Sequence, residues 1–318
     1  MQNLLLPVIA ILPLVLLVSL GYFLKRIKLL SSGTLTAMNK ISFKVFMPVM
    51  IFYNLYSADA SQVFNGPVIV YAAVAISAVF ILLLVFVPIF VKENTRRSVL
   101  VQGMARSNIL LMGVPVVAQL CDQLGLSGAE SLGLITIIVA VVVPINNGFA
   151  IIAFSIFQKN RAKIGRMLLE ILKNPLIIGS AAGVLLLVLG IRPPAVLDNF
   201  IGSVAVIATP LALILLGGFF DFKTVGGCVR PLVAAVTGKL IVIPAVMMTI
   251  AVLLGFRGIE LISLLPVFCA PTAVVSFTMA EQMGGDCDLA GHIVVFSTIA
   301  SAFTMVGWIF LMRELALF

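Results

Sequence analysis

Long apolar runs, parted by short polar breaks, make up most of this chain. They predict helices near 4–24, 35–56, 67–91, 98–120, 132–157, 174–190, 200–220, 230–254, 259–282 and 290–312, the sixth being the shortest. Most match the roughly 20 apolar residues that cross a hydrocarbon core. The runs are apolar on every face, as expected of helices dissolved in lipid. Two of them are interrupted near their middles: SNILLMGVPVV, Ser107 to Val117, and CAPTAVVSF, Cys269 to Phe277. A break frees backbone N–H and C=O groups that lipid cannot satisfy, so it survives only against protein or a water-filled cavity. Paired breaks at corresponding places in two halves point to a binding site near mid-membrane.

The loops sort by charge. Lys25, Arg26 and Lys28 follow the first run, and Lys92, Arg96 and Arg97 follow the third. Lys159, Arg161, Lys163, Arg166 and Lys173 follow the fifth, and Lys223 and Arg230 the seventh, whereas the alternate loops carry little positive charge. The positive-inside rule then puts these loops in the cytoplasm and both termini outside. The loop after the ninth run, with Asp286 and Asp288 and no Lys or Arg, is the exception; acidic residues weigh little in the rule.

QKNRAKIGR (158–166) divides the chain almost evenly, into 1–158, a basic linker 159–173, and 174–318. Five spans on each side must enter the membrane from opposite faces, which makes an inverted repeat. Aligning 107–122 with 271–286 superposes the breaks, brings Pro48 near Pro210 and leaves one shared residue, Asp122 with Asp286.

Composition agrees: 62% hydrophobic, 10% charged, mean hydropathy +1.25, against roughly a quarter charged residues in soluble domains. The first run has no basic residue before it and KRIK after it, the order of a retained helix rather than a cleaved signal. The net charge of +8 follows the loops and forms no basic stripe with interleaved aromatics, so no nucleic-acid partner is expected. Four separated cysteines and the single His292 suggest no metal centre, and no cofactor is expected. HExxH, GxSxG and P-loop patterns are absent, which argues against an enzyme and against direct ATP-driven work.

The candidate site residues cluster at the breaks. Ser107, Asn108, Gly113 and Pro115 form the first; Pro271, Thr272 and Ser276 form the second. Half-helix N-termini there favour an anion and exposed carbonyls a cation. Arg106 admits two roles, pairing with a carboxylate or satisfying freed carbonyls. Asn146 and Asn147 in PINNGF either line the same zone or join helices. Lys44 and Lys239 read as snorkelling residues, and Glu281 as a candidate for binding a proton or sodium ion. Gly217 and Gly218 read as a close helix contact.

GYFLKRIKLLSS, NKISFKVFMPVMIFYNL, SNILLMGVPVV, NPLIIGSAAGVLL, LALILLGGFF and APTAVVSFTMAEQMGGD together resemble the auxin efflux carrier family over essentially the whole chain. The resemblance implies an all-α membrane protein of ten transmembrane helices in two inverted five-helix repeats. Helices four and nine are broken and cross at the substrate site. It also implies a tie to bile acid/sodium symporters, and Asn108 as the crossover residue that meets a substrate carboxylate. Ser276 departs from the proline of the plant carriers, and the long hydrophilic loop of many plant members is missing. The expected function is secondary transport of a small organic anion across the bilayer by alternating access, with proton or sodium coupling open and a homodimer compatible. A sodium symporter of larger amphipathic anions and a non-transporting sensor are the alternatives.

Overall fold

A computed structural model describes residues 2–58, 66–126, 128–157 and 172–317, so most of the basic linker 159–173 lies outside the described residues. The elements are α1 Gln2–Arg26, α2 Ser32–Tyr56, α3 Gly66–Phe90, α4 Asn94–Ala105, α5 Val114–Leu124 and α6 Gly128–Phe157. They continue with α7 Pro175–Leu189, α8 Ala195–Phe219, α9 Val229–Leu253, α10 Ile259–Phe268, α11 Val275–Gln282 and α12 Cys287–Glu314. Every named element is helical, and the described residues contain no strand. Among the described residues six helices are long and apolar enough to cross a membrane: α2, α3, α6 over Leu132–Phe157, α8, α9 and α12. Ile109–Ala118, α7 and α10 are shorter apolar helices.

Much of this apolar surface faces outward. On α3, Val70, Val74, Ile81, Val85, Ile89 and Phe90 are exposed while Val68, Ala72, Ile76, Val79 and Phe80 are buried. An outward apolar stripe of that length needs an apolar surrounding. The buried face of α3 meets α6, where Phe80 stacks on Phe149 with ring centres 5.1 Å apart.

Proline shapes the long helices. Met47, Val114 and Ile243 each precede a proline and donate five residues back, to Ser42, Ile109 and Gly238, through one wide π turn. The proline ring crowds the carbonyl four residues back and brings no N–H to it; widening the turn relieves that clash. At Pro244 the orphaned carbonyl is Leu240, and the chain's single tryptophan repairs it: Trp308 Nε1 donates to Leu240 O at 2.9 Å.

Glycine brings α1 and α8 together. A Cβ on Gly21 would lie 1.9 Å from the Ile214 carbonyl oxygen, and one on Gly217 would lie 1.9 Å from that of Val18. The backbones touch there, as the Gly217–Gly218 pair predicted. Without a hydrophobic force between helices in lipid, such close packing is a main source of cohesion.

The acidic loop after α11 is paired. Asp286 accepts from Arg96 Nε at 2.9 Å and caps α12 through Leu289 N at 3.0 Å. It thereby ties the start of α4 to the start of α12, so the exception in the loop charges sits beside a basic loop.

Candidate functional site

α4 stops at Ala105 and α10 at Phe268, and the two extended segments that follow cross antiparallel, Ser107 opposite Thr272. Asn108 N donates to Pro271 O at 2.8 Å, and Ala273 N to Arg106 O at 3.3 Å. Side chains finish the exchange. Thr272 Oγ1 donates to Gly103 O at 2.7 Å on the last turn of α4, and Ser107 Oγ donates to Val267 O on the last turn of α10. In an unbroken helix Val267 O would be met by residue 271, but that is a proline without an N–H. Gln102 Nε2 donates to Ser276 O at 2.8 Å, and Thr272 N to Ser297 Oγ at 3.2 Å. Each break therefore satisfies backbone that the other frees. That is how irregular backbone survives in a chain of this composition.

Close approach makes the crossing possible. A Cβ on Gly113 would stand 2.1 Å from Pro266 Cβ. α10 is buried on every side from Leu261 to Phe268, so Pro266 has little room to retreat.

A cavity of about 520 Å³ lies between this crossing and helices α1, α2 and α8. Its walls are chiefly apolar, with Leu14, Leu17, Met47, Met50, Ile51 and Leu213 among them. Arg106, Ser107, Asn108 and Asn146 supply polar groups on the crossing side, and Tyr53, Asn54 and Thr209 supply others from α2 and α8. Asn108 to Leu111 and Ala273 to Val275 also border it, so both second half-helices begin at the cavity. Helix N-termini present positive potential there.

Arg106 is only 5% exposed. Its Nη2 donates to Asn147 Oδ1 at 2.7 Å and its Nη1 meets Met279 Sδ at 2.7 Å, a weak acceptor. Among the described residues no carboxylate pairs with it. Asn147 is held in turn by Ser180 at 3.2 Å. Beside the guanidinium's segment, the buried Asn108 Nδ2 and Asn146 Oδ1 have no hydrogen-bond partner among the described residues. Buried polar atoms are nearly always paired, so unpaired ones on a cavity wall mark places for a ligand's polar groups. Among the described residues no group of three His, Cys, Asp or Glu could hold a metal ion.

The model of the family described as membrane transport protein matches residues 7–309. The chain belongs to that family, the auxin efflux carrier family of the sequence resemblance. A protein of Methanothermobacter thermautotrophicus described as an uncharacterized transporter is 23% identical over 301 residues, covering 94% of this chain and 96% of that relative. Members of the family are transporters and not enzymes. With six helices of spanning length, this one is a multi-pass membrane protein that binds a transported substrate within a bilayer.

Within this family member the sequence candidates divide. Arg106, Ser107, Asn108 and Asn146 line the cavity. Pro271 and Thr272 build the crossing behind it, and Gly113 and Pro115 form the packed turn after it. Ser276 lies on the first turn of α11, its break having ended at Val274. Asn147 joins helices, whereas its neighbour Asn146 faces the cavity. Glu281 is half-buried and accepts from Asn39 Nδ2 at 2.6 Å and from Gln282, off the cavity wall.

One expectation needs correcting. Lys44 is exposed, as a snorkelling residue would be, but Lys239 is 0% exposed. Its amine donates to Ser107 Oγ at the crossing, from the π turn Gly238–Val242. Position along a helix gives depth, not facing. The wide turn ahead of Pro244 shifts the facing further.

Proposed function

We propose that this protein is a secondary transporter of small organic anions working by alternating access. The observation that carries the reading is Arg106: a buried, permanent cation with no carboxylate partner among the described residues, on the wall of a chiefly apolar cavity that Asn108 also lines. Charged residues at membrane depth are costly and are normally paired. A substrate carboxylate would supply the missing partner, its oxygens accepting from the guanidinium and from Asn108 Nδ2. The two half-helix N-termini add to the same potential.

The reading includes ten spans in two inverted five-helix repeats, 1–158 and 174–318, with both termini outside the plasma membrane. The reciprocal bonds Ser107 to Val267 and Thr272 to Gly103 support it, since two-fold related halves would produce such an exchange. In this scheme α1, α2, α7 and α8 form the fixed scaffold and the remaining helices carry the crossing. The cavity lies along that boundary, where a rocking motion would open it alternately to each side. A homodimer through the scaffold fits the exposed apolar faces of α7 and α8.

The chiefly apolar walls favour a monocarboxylate with an apolar body over a small dicarboxylate. The cavity's volume falls in the range of pockets for drug-sized ligands. It also keeps a bulkier amphipathic anion in view, with sodium coupling as the second reading. The test is flux in proteoliposomes with radiolabelled phenylacetate, indole-3-acetate, malonate and malate, with and without proton and sodium gradients. Protein-dependent movement of an aromatic monocarboxylate, exceeding that of both dicarboxylates, is expected. No movement of any acid by folded protein would sink the reading.

A further inference from the structure

Two basic side chains stand at the crossing, and only one of them can change charge. Arg106 keeps its proton under all physiological conditions, whereas a lysine amine gives its proton up when burial penalises the charged form. Lys239 is wholly buried, off the cavity wall, with its amine on Ser107 Oγ. Ser107 in turn donates to Val267, so this hydroxyl links the amine to both broken helices.

The turn that holds Lys239 packs against the rest of α9, α4 and α12. Their ionisable side chains are Arg230 on α9, Arg96 and Arg97 on α4, and Cys287, Asp288, His292, Arg313 and Glu314 on α12. None of these forms an ion pair or a hydrogen bond with the amine. The Cys269 thiol is buried at the second break, two residues beyond the Val267 carbonyl that Ser107 meets. Arg106 follows α4 on the crossing strand itself. The amine thus bonds a hydroxyl whose sequence neighbour is Arg106, and among the described residues no carboxylate pairs with it.

We propose that Lys239 is the proton-coupling group of the carrier, which rests on the anion-transport reading above. With the cavity empty, the amine is neutral and Arg106 is the site's single positive charge. When a monocarboxylate enters, the amine binds one proton; when the anion leaves, the proton leaves with it. The crossing then carries one net positive charge both empty and loaded, so the reorienting unit never moves a second buried cation without its counter-charge. No covalent bond changes, and one anion and one proton cross together as a neutral pair. Charge explains the coupling. Arg106 and Ser107 are consecutive and both line the cavity, so a carboxylate held at Arg106 brings a negative charge close to the hydroxyl on which the amine rests, and raises the amine's affinity for a proton.

The proposal predicts that wild-type protein takes up about one proton per anion bound, and that apparent affinity falls about tenfold per pH unit once the empty site has lost its proton. Indicator-dye measurements in weakly buffered detergent solution, using the acid of the panel that the protein carries, read this directly. Binding with no proton uptake by the wild type overturns the proposal without recourse to any variant. In proteoliposomes an inward proton gradient should accumulate the acid in the wild type. Lys239→Met and the permanently charged Lys239→Arg should exchange labelled for unlabelled acid yet fail to accumulate it. Proton-driven accumulation by either variant at the wild-type level overturns the proposal while leaving the carrier reading intact. Absence of both exchange and binding in the wild type overturns the carrier reading and the proposal together.

Discussion

Arg106→Gln is expected to lower apparent affinity for a transported acid by at least about a hundredfold, with folded protein still present in the membrane. Truncating one partner of a desolvated charge pair costs roughly 2–5 kcal/mol, which is about 30- to 5,000-fold in affinity. The upper part of that range applies because among the described residues no other cation lines the cavity. Glutamine removes the charge and keeps an amide donor, two bonds short of the Nη2 that reaches Asn147 Oδ1 at 2.7 Å. Concentration dependence of uptake in proteoliposomes measures the effect. Wild-type affinity in this variant would mean that Arg106 serves the scaffold alone.

Gly113→Val should abolish uptake and lower the melting temperature in detergent. Its Cβ would stand 2.1 Å from Pro266 Cβ, far inside contact distance, against a helix buried on all sides. Overpacking a filled core costs typically 1–3 kcal/mol. Here the strain falls on the crossing, since Gly113 lies five residues beyond Asn108 in the turn that leads from it. Gly307→Ala is the matched control, because a Cβ there meets nothing within 4 Å. Unchanged melting and uptake for Gly113→Val would show that the two half-helices have more room than their packing indicates.

The sequence made the lipid-facing class and the position of both breaks legible, because each is written in residue type alone. A run such as Gly66 to Phe90 has no polar face to present to water. Pro271 lies in the second break and Pro115 in the first turn of the half-helix that follows the first, and each lacks the N–H that an unbroken helix would use. What stayed hidden depends on facing. Asn146 and Asn147 are neighbours of identical chemistry, yet one lines the cavity and the other holds Arg106 to Ser180. Lys44 and Lys239 looked alike in their runs, and only packing separates the exposed one from the buried one. By residue type Ser276 belongs to the break, because its hydroxyl resembles the others. Helix α11 already begins at Val275, so that hydroxyl sits on a regular turn. The contact of Trp308 with Leu240 was equally invisible, joining residues 68 apart in the chain to mend one proline's missing bond.

Charge recognition at the crossing is the claim on which the rest depends, and competition measures it most directly. Uptake of radiolabelled phenylacetate into proteoliposomes is followed against unlabelled phenylacetate and against phenylacetamide, which has nearly the same shape and no charge. The acid should compete at least about a hundredfold better than the amide, the difference expected when a buried cation loses its partner. Equal competition by acid and amide would contradict the account, because the cavity would then be selecting shape while the Arg106 guanidinium went unused.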